Sequence, residues 1–284
     1  MAQKFTKAGV VGWPISHSRS PMIHNHWIKT LGLSGSYEAI AIEPENFDQD
    51  MRALVEAGYA GVNVTVPHKQ AVLAFADDVS PLARRIGASN TLVFGDDGRV
   101  LADNTDAAGF MNNLSQGCPD LVFEGARVMM LGAGGAARAI LCGLLEAGVE
   151  TILISNRTEA KASQLAEEFA HEGDILVVPW PEREAALMEV DLLVNTTSLG
   201  MKGMPALDLS LDALPLQAVV TDIVYAPLET DLLAHARARG NAVVDGLGML
   251  LHQAAPAFAG WFGTLPEVDD ALRQLVVDDL EASS

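Results

Sequence analysis

RVMMLGAGGAARAILCGLLEAG, residues 127–148, is the stretch that decides the fold. Its short apolar run 128–131 predicts a buried strand, and the glycines that follow predict a tight turn. The apolar segment from Ala136 to Gly148 predicts a helix that ends at a glycine. A strand, a glycine-rich turn and a helix in this order are typical of a parallel α/β sheet.

The turn carries the pattern G-x-G-x-x-A at Gly132, Gly134 and Ala137. Glycine lets the backbone approach a pyrophosphate closely, and the free N–H groups of the helix N-terminus face the anion. The alternative is an ordinary glycine-rich turn. Because a strand precedes the motif and a helix follows it, we interpret it as a dinucleotide site. Its predicted cofactor-binding residues are Gly132, Ala133, Gly134, Gly135 and Ala136.

Strands and helices alternate from this motif to about residue 246. The further predicted strands are 151–155, 175–179, 191–196, 219–225 and 242–246, with helical stretches between most of them. This alternation predicts a parallel sheet covered by helices on both faces. The fold class is therefore α/β, with a Rossmann-type doubly wound domain.

The end of the second of these strands indicates the cofactor. A site that prefers NAD usually has an acidic residue there, which binds the ribose 2′-hydroxyl. Here the strand is followed by Asn156, Arg157 and Thr158, with Lys161 nearby. A guanidinium and a hydroxyl can bind a 2′-phosphate, so we predict NADP. The alternative, a solvated helix start, does not explain why the acidic residue is missing.

Composition narrows the class of protein. The chain has 284 residues, a formal net charge of −19 and only two cysteines. The length favours two domains, and the charge argues against nucleic acid or an anionic membrane as partner. No apolar run approaches the roughly 18 residues of a membrane helix. With no secretory signal or disulfide pattern, we expect a cytoplasmic protein, either a monomer or a homodimer. No spacing of cysteine and histidine resembles a zinc site, so we predict no metal.

The first hundred residues repeat the alternation less regularly. Strands are predicted at 8–14, 37–42 and 61–67, and helices at 21–32 and 45–58. Another helix candidate follows Asp106, so we place a domain boundary there.

Polar residues in the loop PISHSRSP, residues 14–21, exceed what the fold requires. Ser20 is explained as the N-cap of a helix that begins with Pro21. Ser16 and Ser18 are not at capping positions, and paired hydroxyls suit a polyol or a carboxylate ligand.

A second polar segment is GVNVTVPHK, residues 61–69. Asn63 and Thr65 lie on one face of a strand whose other face is valine, so this face needs polar partners. The pair Asn90 and Thr91 is a third such segment.

Taken in order, these segments resemble the shikimate dehydrogenase family. The motifs are GWPISHSRSP (12–21), NVTVPHK (63–69), NT (90–91), DNTD (103–106), GAGGAA (132–137), NRT (156–158), NTTSLGM (195–201) and DGLGMLLHQ (245–253). They span nearly the whole chain, and so many ordered motifs are far more specific than any one of them.

The resemblance implies reversible, NADPH-dependent reduction of 3-dehydroshikimate to shikimate in aromatic amino-acid biosynthesis. It also implies that the last helices return to the first domain. The expected domains are a substrate-binding and catalytic domain, residues 1–106 and 247–284, and an NADP-binding domain, residues 107–246, with the substrate in the cleft between them.

The family uses a lysine and an aspartate beside the reacting hydroxyl, and the motifs give these positions to Lys69 and Asp106. Hydride transfer to a ketone leaves negative charge on oxygen, so a proton donor must lie within reach. We expect the two side chains to converge as one acid/base unit, with Lys69 nearer the oxygen. By themselves, Lys69 would be a solvated lysine at a predicted helix start and Asp106 an N-cap.

The resemblance supplies the remaining site residues. The predicted substrate-binding residues are Ser16, Ser18, Thr65, Asn90, Tyr225 and Gln253, to which the strand pattern adds Asn63. The further predicted cofactor-binding residues are Thr196, Val224, Gly246 and Met249.

Two other functions stay open at this stage. A paralogue of the same fold would oxidise quinate or an amino analogue of shikimate, and preference for NAD would favour it. A non-catalytic NADP-sensing module is the remote alternative, and the presence of both Lys69 and Asp106 argues against it.

Overall fold

The structure is a computed structural model that describes residues 4–282. The strands are β1 (Thr6–Gly12), β2 (Gly35–Ala41), β3 (Tyr59–Val64), β4 (Asp78–Val79), β5 (Thr91–Phe94), β6 (Val100–Asp103), β7 (Arg127–Leu131), β8 (Thr151–Ser155), β9 (Asp174–Val177), β10 (Leu192–Asn195), β11 (Val219–Asp222) and β12 (Ala242–Val244). The α-helices are α1 (Ser20–Thr30), α2 (Phe47–Glu56), α3 (Val72–Phe75), α4 (Pro81–Ile86), α5 (Asp106–Gly117), α6 (Gly135–Glu146), α7 (Glu159–Phe169), α8 (Asp231–Arg239), α9 (Leu247–Phe262) and α10 (Asp270–Ala282). Short 3₁₀ turns occupy Pro44–Asn46, Trp180–Glu182 and Ala185–Glu189.

The described chain divides into two compact units. The first comprises the residues up to Asp106 together with Leu251–Asp278, and the second comprises Ala107–Leu250 and the residues that follow Asp278. The chain leaves the first unit at the first residue of α5 and returns to it within α9. The outermost residues of the predicted domain ranges, 1–3 and 283–284, lie outside the described residues.

The sheet of the first unit is mixed, in the order β2-β1-β3-β5-β6-β4. Strands β1, β2 and β3 are parallel, whereas β5 is antiparallel to both β3 and β6. The sequence predicted the first three strands but missed β4, β5 and β6. These strands are two to four residues long, which is too short to show an alternating pattern.

One face of this sheet packs against α2 and α3. The buried side chains there include Val11, Val62 and Leu92 from the strands and Met51 from α2. In α2 the two buried residues, Phe47 and Met51, are four apart, so they lie on one face of the helix. The apolar core therefore fixes the strands whose ends carry the polar loops of the first unit.

The sheet of the second unit is parallel throughout, in the order β12-β11-β10-β7-β8-β9. Every residue of β8, β10 and β11 is buried, as expected for strands covered on both faces. The strand order reverses between β7 and β10, and ligands of such sheets bind outside the carboxyl ends of the strands at that point. The predicted α/β class with a Rossmann-type doubly wound sheet is confirmed.

Between residues 4 and 282, no helix is both long and apolar enough to cross a membrane.

Helix α9 packs closely against the first sheet at Gly61. The indole N–H of Trp261 donates to the carbonyl oxygen of Leu92 at 2.8 Å. A β-carbon on Gly61 would collide with that carbonyl oxygen and with the indole ring. The backbone at Gly61 also has φ of +155°, which residues other than glycine rarely adopt. This glycine thus permits α9 to pack on β3 and β5.

We expect Gly61→Ala to lower the free energy of unfolding by about 1–3 kcal/mol, because the added methyl overpacks this contact. Thermal and urea unfolding measure the change. Gly32→Ala is the matched control, since Gly32 also has positive φ but has open space around its missing β-carbon. Equal destabilisation by the two variants would contradict the packing argument.

Candidate active site

Lys69 and Asp106 form a largely buried ion pair in the first unit. Lys69 Nζ lies 2.6 Å from Asp106 Oδ2, and the two side chains are 19% and 6% exposed. Asp106 is the first residue of α5, whose N-terminus favours a negative charge. The structure therefore brings together the two groups that the motifs assigned to acid/base chemistry.

Lys69 does not start a helix, so that part of the prediction is wrong. It lies in a turn between β3 and α3, and α3 begins only at Val72. The turn is closed by the His68 N–H, which donates to the Thr65 carbonyl at 2.9 Å. The Lys69 carbonyl accepts from the Ser89 N–H at 2.7 Å. Hydrogen bonds to the turn, and not a helix, hold the lysine backbone in place.

Asn90 links the ion pair to the rest of the site. Its Nδ2 lies 2.8 Å from Asp106 Oδ1 and 3.2 Å from Gln253 Oε1. Its Oδ1 accepts from the Thr105 N–H at 2.8 Å. All four residues are buried. The Asp106 carboxylate is thus held on one oxygen by the lysine and on the other by the Asn90 amide.

The predicted substrate residues Ser16, Ser18 and Thr65 follow strands of the first unit that end at the same edge of the sheet. Ser16 is exposed and Ser18 is half-buried in the loop after β1, and Thr65 directly follows β3. Strands β1 and β3 are parallel neighbours, so their carboxyl ends lie side by side. A β-carbon on Gly12 would lie 2.6 Å from the Thr65 methyl carbon, which places the two strand ends in contact.

Ser20 does not cap α1, contrary to the prediction. The helix begins at Ser20 itself, and the N-cap position is Arg19. Ser18 Oγ accepts from the Ser20 N–H at 3.3 Å, so the hydroxyl two residues earlier bonds this end of the helix. Ser18 therefore has a local partner that its position in the sequence did not indicate.

Asn63 is buried inside the first sheet. Its Nδ2 lies 3.1 Å from the Asn90 carbonyl oxygen and 3.2 Å from Thr91 Oγ1. Its Oδ1 accepts from the Tyr37 hydroxyl at 2.7 Å. The polar partners expected on this strand face are present: Tyr37 from β2, Thr91 from the neighbouring strand β5, and Asn90 just before it.

In the second unit the glycine motif lies between β7 and α6. Gly132 has φ of +111°, and a β-carbon there would collide with the Thr196 hydroxyl. That hydroxyl donates to the Leu131 carbonyl at 2.7 Å and closes the loop onto β10. Gly134 is the N-cap of α6, and no atom of the described residues lies within 4 Å of its missing β-carbon. The loop thus offers free space at a helix N-terminus, which fits a pyrophosphate.

Cationic residues follow β8, as the sequence predicts. Arg157, Thr158 and Lys161 are exposed, and Thr158 is the N-cap of α7. The amide of Asn156 donates to the Thr158 carbonyl at 2.8 Å, so it shapes this turn. Residues 156–158 include no acidic side chain, which leaves the position open for a phosphate.

The strand ends at β11 and β12 carry the other predicted residues of the second unit. Val224 is buried, Tyr225 is half-buried, and a β-carbon on Gly246 would collide with the backbone of Ile223 and Val224. Met249, in α9, is 8% exposed. Gly246 is therefore required by close packing of the backbone.

Asp222 was not among the predicted site residues, yet it holds this region together. Its carboxylate accepts from Asn195 Nδ2 at 2.9 Å, the Val224 N–H at 3.0 Å and the Thr230 hydroxyl at 2.8 Å. Burial raises the pKa of Asp222, and these three hydrogen bonds oppose the rise. The signal available in the sequence was an acidic residue inside an otherwise apolar strand.

The motif resemblance is confirmed by comparison with known proteins. Residues 10–92 match the model for the shikimate dehydrogenase substrate binding domain, and residues 117–202 match the model for shikimate / quinate 5-dehydrogenase. The chain is similar to the shikimate dehydrogenase (NADP(+)) of Paramagnetospirillum magneticum, with 53% identity over 98% of this chain and 100% of the relative.

Two solved structures have the same fold. The shikimate 5-dehydrogenase of Thermus thermophilus, in complex with NADP(H) and shikimate, is 39% identical, with a TM-score of 0.84 over 95% of this chain and 99% of that one. The quinate dehydrogenase of Corynebacterium glutamicum, in complex with NAD, is 30% identical, with a TM-score of 0.90 over 97% of this chain and 100% of that one. The chain therefore belongs to the shikimate dehydrogenase family.

Proposed function

We propose that the chain is an oxidoreductase that interconverts 3-dehydroshikimate and shikimate with NADPH and NADP⁺. The observation that carries this proposal is the Lys69–Asp106 pair, 2.6 Å apart and tied through Asn90 to Gln253. The names of relatives about half identical to this chain support the same reaction.

Reduction of the ketone needs a proton donor at its oxygen. NADPH, when bound, supplies the hydride to the carbonyl carbon. We assign the proton to the Lys69 ammonium, because negative charge develops on the oxygen as the carbon–hydrogen bond forms. Asp106 holds the ammonium in position, and the N-terminus of α5 favours the negative charge of this carboxylate. In the oxidation direction, the Lys69 amine takes the proton from the substrate hydroxyl.

The hydroxyl-rich loops of the first unit suit the rest of the substrate. Ser16, Ser18 and Thr65 can donate to a carboxylate or to ring hydroxyls, and Asn90 and Gln253 have amides beside Asp106. Tyr225 keeps the substrate role that the family motif gives it.

The second unit suits NADP. We propose that the loop at Gly132–Ala136 holds the pyrophosphate and that Arg157 binds the 2′-phosphate, with Asn156, Thr158 and Lys161 around it. Thr196, Val224, Gly246 and Met249 complete the cofactor site by their family positions. We accordingly propose the ranges 1–106 and 247–284 as the substrate domain and 107–246 as the cofactor domain.

A second candidate function is quinate oxidation. The matching family model covers both shikimate and quinate enzymes, and a quinate dehydrogenase has a similar fold. That protein is in complex with NAD, whereas Arg157 here favours a 2′-phosphate. Shikimate and quinate, each assayed with NADP⁺ and with NAD⁺ by nicotinamide absorbance, distinguish the two functions. Faster turnover of quinate with NAD⁺ would reject our assignment.

We further propose a cytoplasmic location, because Cys118 and Cys142 form no disulfide and a reducing compartment keeps cysteines in the thiol form. The choice between monomer and homodimer stays a prediction from the sequence.

Lys69→Met should lower kcat by about 10²–10⁴-fold, the usual contribution of a general acid or base. The KM for NADP⁺ should change little, since Lys69 belongs to the substrate unit. Steady-state kinetics of shikimate oxidation measure both constants. Lys29→Met, at an exposed lysine of α1, is the matched control and should retain activity. A Lys69→Met enzyme that turns over like the control would remove this lysine from the mechanism.

Arg157→Ala should weaken NADP⁺ binding roughly 10- to 150-fold, the range expected when a charged hydrogen bond is lost. Binding of NAD⁺ should be nearly unchanged, because it lacks the 2′-phosphate. NADPH and NADH differ by the same 2′-phosphate, so we expect the same contrast for them, and fluorescence titration of one variant with both measures it. Equal weakening of the binding of both cofactors would show that Arg157 does not bind the 2′-phosphate.

A further inference from the structure

A chain of hydrogen bonds runs through the buried side of the first sheet towards the ion pair. It begins at Tyr37 in β2, continues to Asn63 in β3, and reaches Thr91 at the start of β5. Asn63 and Thr91 are directly opposed residues of the antiparallel pair β3–β5. Thr91 Oγ1 then lies 3.0 Å from Asn90 Oδ1. All of these side chains are buried, so the protein alone decides their hydrogen bonds.

The direction of this chain is set by Tyr37. Burial raises the pKa of its phenol well above the usual value, with a smaller opposing effect from Ser20, so the hydroxyl keeps its proton and can donate. His24 stacks on the Tyr37 ring at 4.0 Å between centroids, and burial lowers the pKa of His24 to about 3, against a smaller effect of Asn63. The phenol that donates to Asn63 is therefore protonated, and the ring stacked on that phenol is neutral.

Because the Tyr37 hydroxyl donates a hydrogen bond, it fixes the orientation of the Asn63 side-chain amide. Asn63 Oδ1 accepts the phenol hydrogen bond, so its NH₂ group points the other way. One N–H donates to the Asn90 carbonyl at 3.1 Å and the other to Thr91 Oγ1 at 3.2 Å. Both amide protons of Asn63 are used inside the sheet and neither is left for a substrate.

The Thr91 hydroxyl has one proton, so the orientation of the Asn63 amide also determines the orientation of the Asn90 amide. Because Thr91 Oγ1 accepts from Asn63, its own O–H donates to Asn90 Oδ1. The Thr105 N–H donates to the same oxygen. The Asn90 NH₂ group then faces three acceptors, Asp106 Oδ1 at 2.8 Å, Thr105 Oγ1 at 2.9 Å and Gln253 Oε1 at 3.2 Å. The reversed amide would set its oxygen against the Asp106 carboxylate, two acceptors facing each other.

We propose that Tyr37, Asn63 and Thr91 form a positioning relay that fixes the amide orientation of Asn90 and, through it, the Asp106 carboxylate. Asn63 acts on the site through Asn90 and does not contact the substrate, which changes the role its strand position predicted. This proposal rests on the proposed function, because it concerns the same acid/base pair.

The first test is Thr91→Val, which removes the hydroxyl and keeps the shape of the side chain. The Thr105 N–H still holds Asn90 Oδ1, so we expect kcat for shikimate oxidation to fall roughly three- to tenfold, the effect of one hydrogen bond. The KM for NADP⁺ should not change. Thr91→Ser, which restores a hydroxyl, should recover most of the lost kcat.

Matched controls separate the relay from simple loss of stability. Thr221→Val removes a buried threonine hydroxyl of β11, which donates to the Val244 carbonyl at 2.9 Å, and should lower the melting temperature without changing kcat. Tyr37→Phe should lower kcat in the same direction as Thr91→Val. Tyr59→Phe removes a hydroxyl that donates to Glu38 outside the relay, so it should leave kcat unchanged.

Two results would overturn the relay. One is an unchanged kcat in both Thr91→Val and Tyr37→Phe, with melting temperatures lowered as in their controls. The other is a raised KM for shikimate in Asn63→Ala, with normal kinetics in Thr91→Val, which would make Asn63 a direct substrate contact.

A readout without substrate keeps the relay testable if the wild-type protein does not oxidise shikimate. That failure would reject the proposed function alone. The side-chain amide protons of Asn90, identified in NMR spectra by their loss in Asn90→Asp, should exchange slowly with solvent in the wild type. They should exchange at least several-fold faster in Thr91→Val but not in Thr221→Val. Equal exchange in all three proteins would reject the relay.

Discussion

A buried carboxylate and a buried ammonium in contact are costly unless their remaining hydrogen-bonding capacity is satisfied. In this protein the Asp106 carboxylate accepts from Lys69 on one oxygen and from the Asn90 amide on the other, the N-terminus of α5 favours its charge, and the half-buried Lys69 keeps partial access to solvent. These supports come from the turn after β3, from the residue before β5 and from the start of α5. The pair therefore depends on the pairing of β3 with β5 and on the start of α5.

The second unit solves a different problem, because it must bind an anion in a chain whose formal net charge is −19. We propose that it does so with local groups. The glycine loop presents backbone N–H groups at the start of α6, and the exposed Arg157 and Lys161 supply positive charge after β8. Such short-range donors work regardless of the overall field, since charges further than about 8–10 Å apart are largely screened at physiological salt.

The sequence predicted those features that depend on pattern. Buried parallel strands such as β8 and β10 are continuous apolar runs, and the loop at Gly132 needs glycine for its backbone angle, so both are readable from residue types. Motif order also singled out Lys69 and Asp106. What it could not predict is which hydrogen bonds buried polar groups make, because the strands that meet in space are distant in the chain. The Asn63 amide is an example, since its partners are Tyr37, Asn90 and Thr91.

Predictions made from short stretches of sequence were wrong where tertiary contacts determine the local structure. Ser20 looked like a helix cap, but it is already within α1 and is buried. Lys69 looked like a helix start, but hydrogen bonds from His68 and Ser89 hold a turn there. Asp222 stands out in the sequence only as an acidic residue in an apolar strand, and its role depends on Asn195 and Thr230, which approach it only in the fold.

The first unit is discontinuous in the chain, and this affects the order in which the protein can fold during synthesis. Trp261 donates to Leu92 across 169 residues, and Trp27 donates to the Glu267 carbonyl across 240. Domains generally fold as the chain emerges from the ribosome, but the first unit cannot complete its packing until α9 has been synthesised. The nucleotide-binding sheet, whose last strand ends at Val244, can be complete before the catalytic unit has received its final helix.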